Sequence, residues 1–307
     1  MTPSGARRGA CLRLQGRPPL QAMKSGTKQS KRRTSPEPVL ARISDLAHIS
    51  DLAQQGRLAE AERALRQAFG AAPDDAAPLH LQGLIALQQG HPKPATIALA
   101  KAATLEPENV AIRTNLGIAL AADERPDEAI AELRRAASQT PPFPPAWFNL
   151  GVVLRRQGHD EAADWLRQTV ALQPDYTKAW FELGLVLQER AALDEALCCF
   201  ERVLTSNPND ADALYNAGTI EQRCGRYDAA RGRFEASLKI FEGRATAWLG
   251  LGMCRQELGQ ADEAMAAYRE ALQRDRKLYP AVLKSLCNAS KGRIWLDPKA
   301  LRRALDG

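Results

Sequence analysis

Apolar residues along this chain fall at helical spacing in short blocks, and the blocks themselves recur. Prolines stand at positions 73, 107, 141, 174 and 208, separated by 34, 34, 33 and 34 residues. Between them the same order of residues returns. An aromatic or other large residue is followed three positions later by Leu-Gly: Trp147 by Leu150-Gly151, Trp180 by Leu183-Gly184, Trp248 by Leu251-Gly252, and Arg113 by Leu116-Gly117. An acidic residue then precedes an alanine, as in Glu60-Ala61, Glu128-Ala129, Glu161-Ala162, Glu195-Ala196 and Glu263-Ala264. Four residues after this alanine comes a large side chain, Phe200, Phe234 or Tyr268 in the later blocks and Leu65, Leu99 or Leu133 in the earlier ones. Apolar positions spaced three and four apart predict amphipathic helices, and a period near ~34 residues predicts a stacked array with one helix pair per unit. One such pair cannot bury its own apolar face, so stability must come from neighbours.

These residues resemble the tetratricopeptide signature, W-x-x-L-G-x-x-Y followed by A-x-x-x-F and then P. The resemblance spans 42–278 and implies an all-α fold, a right-handed superhelical solenoid of about seven helix pairs with a C-terminal capping helix. The units are expected at 42–75, 76–109, 110–143, 144–176, 177–210, 211–244 and 245–278, forming an array over 41–278. Residues 1–40 are expected to be a disordered basic tail and 279–307 to hold capping helices.

Small residues at Gly151, Gly184, Gly218 and Gly252 would let the two helices of a unit approach closely, with alanine filling the notch. The large residue after that alanine is expected to pack into the next repeat, and proline to end the second helix. The first unit is degenerate, with Asp45 and His48 at signature positions, and reads as a cap. The sixth and seventh units carry Glu242 and Arg276 where proline is expected, so their turns have no sequence signal. A helix is expected over 280–290. Asp297 as N-cap and Pro298 at the first helical position would then open a short helix. Trp295, Leu301, Ala304 and Leu305 would cover the last repeat, or Arg293, Arg302 and Arg303 would form a docking patch.

The net charge of +6 conceals an uneven distribution. Residues 1–40 carry +8 and 279–307 carry +4, leaving 41–278 acidic at −6, with 27 basic and 33 acidic residues. The basic start is interrupted by Arg13, Arg17 and Pro18-Pro19, so it lacks the apolar core of a secretory leader, and Met23 is an alternative translation start. No apolar run approaches the ~18 residues of a membrane span. The six cysteines, at 11, 198, 199, 224, 254 and 287, include no C-x-x-C pair and read as buried thiols in a reducing cytosol. A cytoplasmic location is expected.

The family resemblance implies that first helices line a concave groove. Asn115, Asn149 and Asn216 then form a partial asparagine ladder, similar to that in the superhelical arm of O-linked N-acetylglucosamine transferases. An asparagine amide can pair with both N–H and C=O of an extended peptide. Beside the ladder, Phe148, Phe181 and Tyr215 with Val152 and Leu185 would make an apolar stretch, and Arg155 and Lys178 would add positive charge. The carboxylate clamp of chaperone-binding relatives is not expected, because its slots hold His80, Thr114 and Phe148. The chain shows no nucleophile with a base, paired acids or phosphate loop. No cofactor, metal or small-molecule substrate is expected, and the acidic array argues against nucleic acid. The expected activity is non-enzymatic protein–protein interaction, with the chain serving as a scaffold or adaptor. The alternative is a targeting arm that recruits clients to a separate glycosyl- or sulfotransferase chain.

Overall fold

A computed structural model describes residues 36–288, with side chains described over 41–287. Calls on residues before 36 or after 288, including Met23, Trp295 and the helix after Asp297, lie outside the described residues. Those described form fifteen α-helices, one 3-10 turn and no strand. In chain order these are α1 (Pro36–Gln54), α2 (Leu58–Phe69), α3 (Ala76–Gln88), α4 (Pro92–Leu105), α5 (Val110–Ala122), α6 (Pro126–Ala137), α7 (Pro144–Arg156) and α8 (Ala162–Leu172). They continue with α9 (Thr177–Glu189), α10 (Leu193–Ser206), α11 (Ala211–Arg223), α12 (Tyr227–Ile240), α13 (Ala245–Glu257), α14 (Ala261–Arg274), the 3-10 turn (Arg276–Leu278) and α15 (Tyr279–Asn288). Helix α1 opens at Pro36, inside the segment expected to be disordered. Pro36 and Pro38 occupy its first turn, where a missing N–H leaves no bond unmade.

From α3 onward the helices pack as consecutive antiparallel pairs, each odd-numbered helix against the even-numbered helix that follows. This is an α-solenoid. Odd-numbered helices also touch the next odd-numbered helix, at α3–α5, α5–α7, α7–α9 and α11–α13. No two successive even-numbered helices make comparable contact among the described residues, so the first helices form the tighter layer.

The interlock within a pair differs from the expected one. The glycine of the first helix is met by the large residue of the second helix of its own repeat, and alanine does not fill the notch. A Cβ placed on Gly117 would lie 2.5 Å from Leu133 Cγ, one on Gly184 2.9 Å from Phe200 Cζ, and one on Gly252 2.6 Å from Tyr268 Cε1. Gly83 meets Leu99 and Gly151 meets Leu166 in the same way, whereas a Cβ on Gly218 would sit more loosely, 3.1 Å from Arg233 Cβ and 3.2 Å from Phe234 Cε1. Phe234 also reaches the following repeat, where it abuts Gly250. Phe200, Phe234 and Tyr268 are buried outright, as is each alanine four residues before them.

Proline proves unnecessary for ending the second helix. Helices α12 and α14 stop two residues before Glu242 and Arg276, at the same point as α4 before Pro107 and α10 before Pro208. In each, the residue after the helix still donates its N–H to a carbonyl four back, as Phe241 does to Ser237 and Asp275 to Ala271. The turn inside each pair requires a left-handed residue. Glycine supplies it at 56, 90, 158, 225 and 259, whereas Glu124 and Ala191 adopt it at φ 59° without glycine.

Tryptophan secures the turn between repeats. Trp180 donates its indole N–H to the Pro174 carbonyl at 2.8 Å and Trp248 to the Glu242 carbonyl at 2.9 Å. Arg113 stands in the same slot of its repeat and donates to the Pro107 carbonyl, also six residues back, while pairing with Glu132 at 2.7 Å. Ion pairs staple successive repeats: Arg134 to Glu161, Arg155 to Glu182, Arg167 to Glu195, Arg233 to Glu201 and Arg255 to Glu235. Of the five cysteines described, only Cys199 and Cys254 are buried as expected. Cys198, Cys224 and Cys287 lie at the surface. Burial pushes the Cys199 and Cys254 thiols up to about 12, so neither is a thiolate at neutral pH.

Two glycine substitutions separate packing from propensity. Gly117→Ala forces a methyl into Leu133 and is expected to destabilise by about 1–3 kcal/mol. Gly232→Ala, exposed within α12 with nothing within 4 Å of the new Cβ, is expected to stabilise by about 0.5–1 kcal/mol. Urea melts followed by circular dichroism check both, and equal shifts would refute the notch as the packing constraint.

Candidate functional site

Helical spacing places positions two, six, nine and thirteen of each first helix on one stripe. On α7 these are Pro145, Asn149, Val152 and Arg156; on α9, Lys178, Glu182, Leu185 and Glu189; on α11, Asp212, Asn216, Thr219 and Arg223. The structure therefore brings most of the expected groove residues onto adjoining helices. Val152 and Leu185 are half-buried there, in line with Leu84 of α3 and Ile118 of α5, two apolar residues the sequence reading passed over.

The asparagines are half-buried but already engaged. Asn149 donates to the Pro145 carbonyl at 2.7 Å and Asn216 to the Asp212 carbonyl at 2.8 Å, each within its own helix. Asn115 reaches across to the preceding repeat, its Nδ2 2.7 Å from Nε2 of His80. Each amide thus has its carbonyl oxygen and one N–H left for a partner, fewer groups than a free ladder would offer.

The aromatic residues are half-buried rather than fully displayed, and each leans on a second aromatic. Phe148 lies 5.0 Å from Tyr176, Phe181 meets Phe200 edge-on at 5.5 Å, and Tyr215 lies 6.0 Å from Phe234 between ring centroids. The Arg244 guanidinium sits 4.9 Å from the Tyr215 ring. Phe148 and Phe181, with Val203, line a depression of about 220 Å³ rimmed by Thr177, Lys178, Glu182, Asp210 and Asp212. Arg155 is not a free cation: its Nε is 2.9 Å from Glu182 and its Nη1 2.9 Å from Glu189.

A second depression, of about 230 Å³, opens between α11, α12, α13, α14 and α15 and is lined by Gln222, Arg223, Tyr227, Met253, Gln256, Glu257, Tyr268 and Ser285. Buried Tyr268 donates its hydroxyl to Gln256 Oε1 at 2.6 Å, and burial holds its phenol well above the ordinary tyrosine range. Tyr268 carried only a packing role in the sequence, and its polar end gave no signal there.

The fold and this face define a class, the helical-repeat solenoids that present a layer of first helices. Tetratricopeptide-repeat family models match residues 46–102, 86–151, 159–211 and 209–277. The chain belongs to the tetratricopeptide-repeat family, whose members are generally non-catalytic repeats that bind protein partners. No curated protein matches the sequence. Among solved structures it is similar to pilF of Pseudomonas aeruginosa, at 19% identity and a TM-score of 0.61 over 67% of this chain and 95% of that one. It is also similar to PilW, described as a widely conserved type IV pilus biogenesis factor, at 21% identity and a TM-score of 0.61 over 66% and 94%. The APC/C hetero-tetramer Cut9–Hcn1 gives 18% identity and a TM-score of 0.64 over 78% of this chain and 48% of that one. At these identities the likeness is one of fold. No helix among the described residues is long and apolar enough to cross a membrane.

His80 makes this face sensitive to acid. Burial lowers its pKa, partly offset by Glu106, and its Nε2 can accept from Asn115 only when unprotonated. The unfolded chain takes up a proton near ~6.5 while the folded chain resists until lower pH, so folded stability falls as pH drops through that window. Melting temperature is expected to fall more between pH 7.5 and 5.5 for the parent than for His80→Gln. Parallel curves would exclude His80 as the cause.

Proposed function

We propose that this chain is a non-catalytic scaffold that binds an extended segment of another protein along the stripe of its first helices, from α5 to α11. The observation that carries the reading is the depression at Phe148 and Phe181. It joins a half-exposed aromatic floor to polar rim groups on adjoining first helices, the arrangement by which linear segments are anchored. Flanking Val152, Leu185 and Ile118 extend the apolar line. The remaining amide groups of Asn115, Asn149 and Asn216 add backbone contacts. The aromatic residues anchor, and the asparagines orient.

This division of labour sets the test. Partner proteins captured on the immobilised full chain from the cells that make it are expected to be lost when Phe148 and Phe181 are both changed to Ala. They should be only weakened when Asn115, Asn149 and Asn216 are changed to Ala, with helicity confirmed for both variants. Retention of the same partners by the Phe148→Ala/Phe181→Ala protein would sink the groove as the binding surface.

A further inference from the structure

The charges on the first-helix stripes of α7, α9 and α11 are Arg156, Lys178, Glu182, Glu189, Asp212 and Arg223. Each of the acids already has a cation. Glu182 and Glu189 share Arg155, and Asp212 is held by Arg244. Asp210, on the rim of the depression, is occupied at the start of α11, where its carboxylate accepts from the N–H groups of Asp212 and Ala213. Arg156, Lys178 and Arg223 are exposed and form no ion pair among the described residues. The stripes of α3 and α5 carry no charged residue. An array whose residues total −6 therefore presents a face on which three exposed cations have no ion pair, while its carboxylates are engaged, Asp210 by backbone N–H groups and Glu182 and Glu189 by one shared guanidinium.

Lys178 stands on the rim of the Phe148–Phe181 depression and Arg223 on that of the second depression. From this we infer that the partner segment is acidic, with an apolar side chain seated on Phe148 and Phe181 and Asp or Glu side chains beside it facing Lys178, Arg156 and Arg223. A basic segment would meet three unpaired cations and find the local carboxylates already engaged, Glu182, Glu189 and Asp212 by arginine and Asp210 by backbone N–H groups. Burying an unmatched charge against either partner is unfavourable, so the sign of the face selects among ligands as well as attracting them. The inference rests on the groove reading above and adds the chemistry of its occupant.

A display library of random linear peptides, selected on the immobilised full-length protein at low salt, tests it. The enriched pool is expected to be more acidic than the input and to carry Phe, Leu or Trp. Fluorescence anisotropy with the selected peptides should show about tenfold weaker binding for Lys178→Glu, and about a hundredfold for Lys178→Glu combined with Arg156→Glu and Arg223→Glu. Phe148→Ala/Phe181→Ala should weaken it as well, and added salt should lower the affinity of the parent. A neutral or basic pool that still depends on Phe148 and Phe181 would leave the groove standing and overturn the acidic assignment. A pool indifferent to all of these substitutions, or no enrichment at all, would overturn both.

Discussion

The close approach of a glycine backbone to one large side chain sets the geometry from which the array is built. Leu99, Leu133, Leu166, Phe200, Phe234 and Tyr268 each occupy space that a Cβ on the facing helix would need. Because a protein interior tolerates neither overlap nor voids, this contact fixes how far apart the helices of a pair lie and in what register. The size of the filler varies, aliphatic in the earlier repeats and aromatic in the later ones, while the notch remains glycine. Neighbouring first helices then take their spacing from the pairs, and the binding stripe follows from that spacing.

Polar contacts set the register between repeats. A donor at the fourth position of the first helix reaches the turn before it, and indole and guanidinium do this equally well, as Trp180 and Arg113 show. Exposed ion pairs contribute little each, about 0–1 kcal/mol. Recurring between successive repeats, they match each helix to its proper neighbour and leave the first-helix face with the few cations that nothing else engages.

The helix pairs were legible in the sequence because their signal is repeated and local: Leu-Gly in one helix, Ala and a large residue in the next. What escaped the reading depends on geometry that a pattern of letters does not carry. Proline marked the turns but does not make them, since α12 and α14 end at the same place without it. Arg113 stands in a slot that tryptophan holds in other repeats, and its hydrogen bond to the Pro107 carbonyl shows why it serves there. On the candidate site, Phe148, Phe181 and Lys178 line one depression. Asn149 and Asn216 turned their donors back to their own helices, Asn115 reached His80 of the preceding repeat and Arg155 was drawn between two glutamates, arrangements that depend on side-chain direction and on neighbours from other repeats.

The packing order has a consequence for how the chain reaches its fold. Among the described residues each helix touches chiefly the one before it, the one after it and, for most first helices, the next first helix. Contacts therefore close over short stretches of chain, with none of the long loop closures that slow the folding of sheets. Folding can start at any repeat and spread to its neighbours. The earliest pairs can thus assemble on the ribosome while Trp248 and Tyr268 have yet to be translated, so the growing chain buries its apolar faces as it is made.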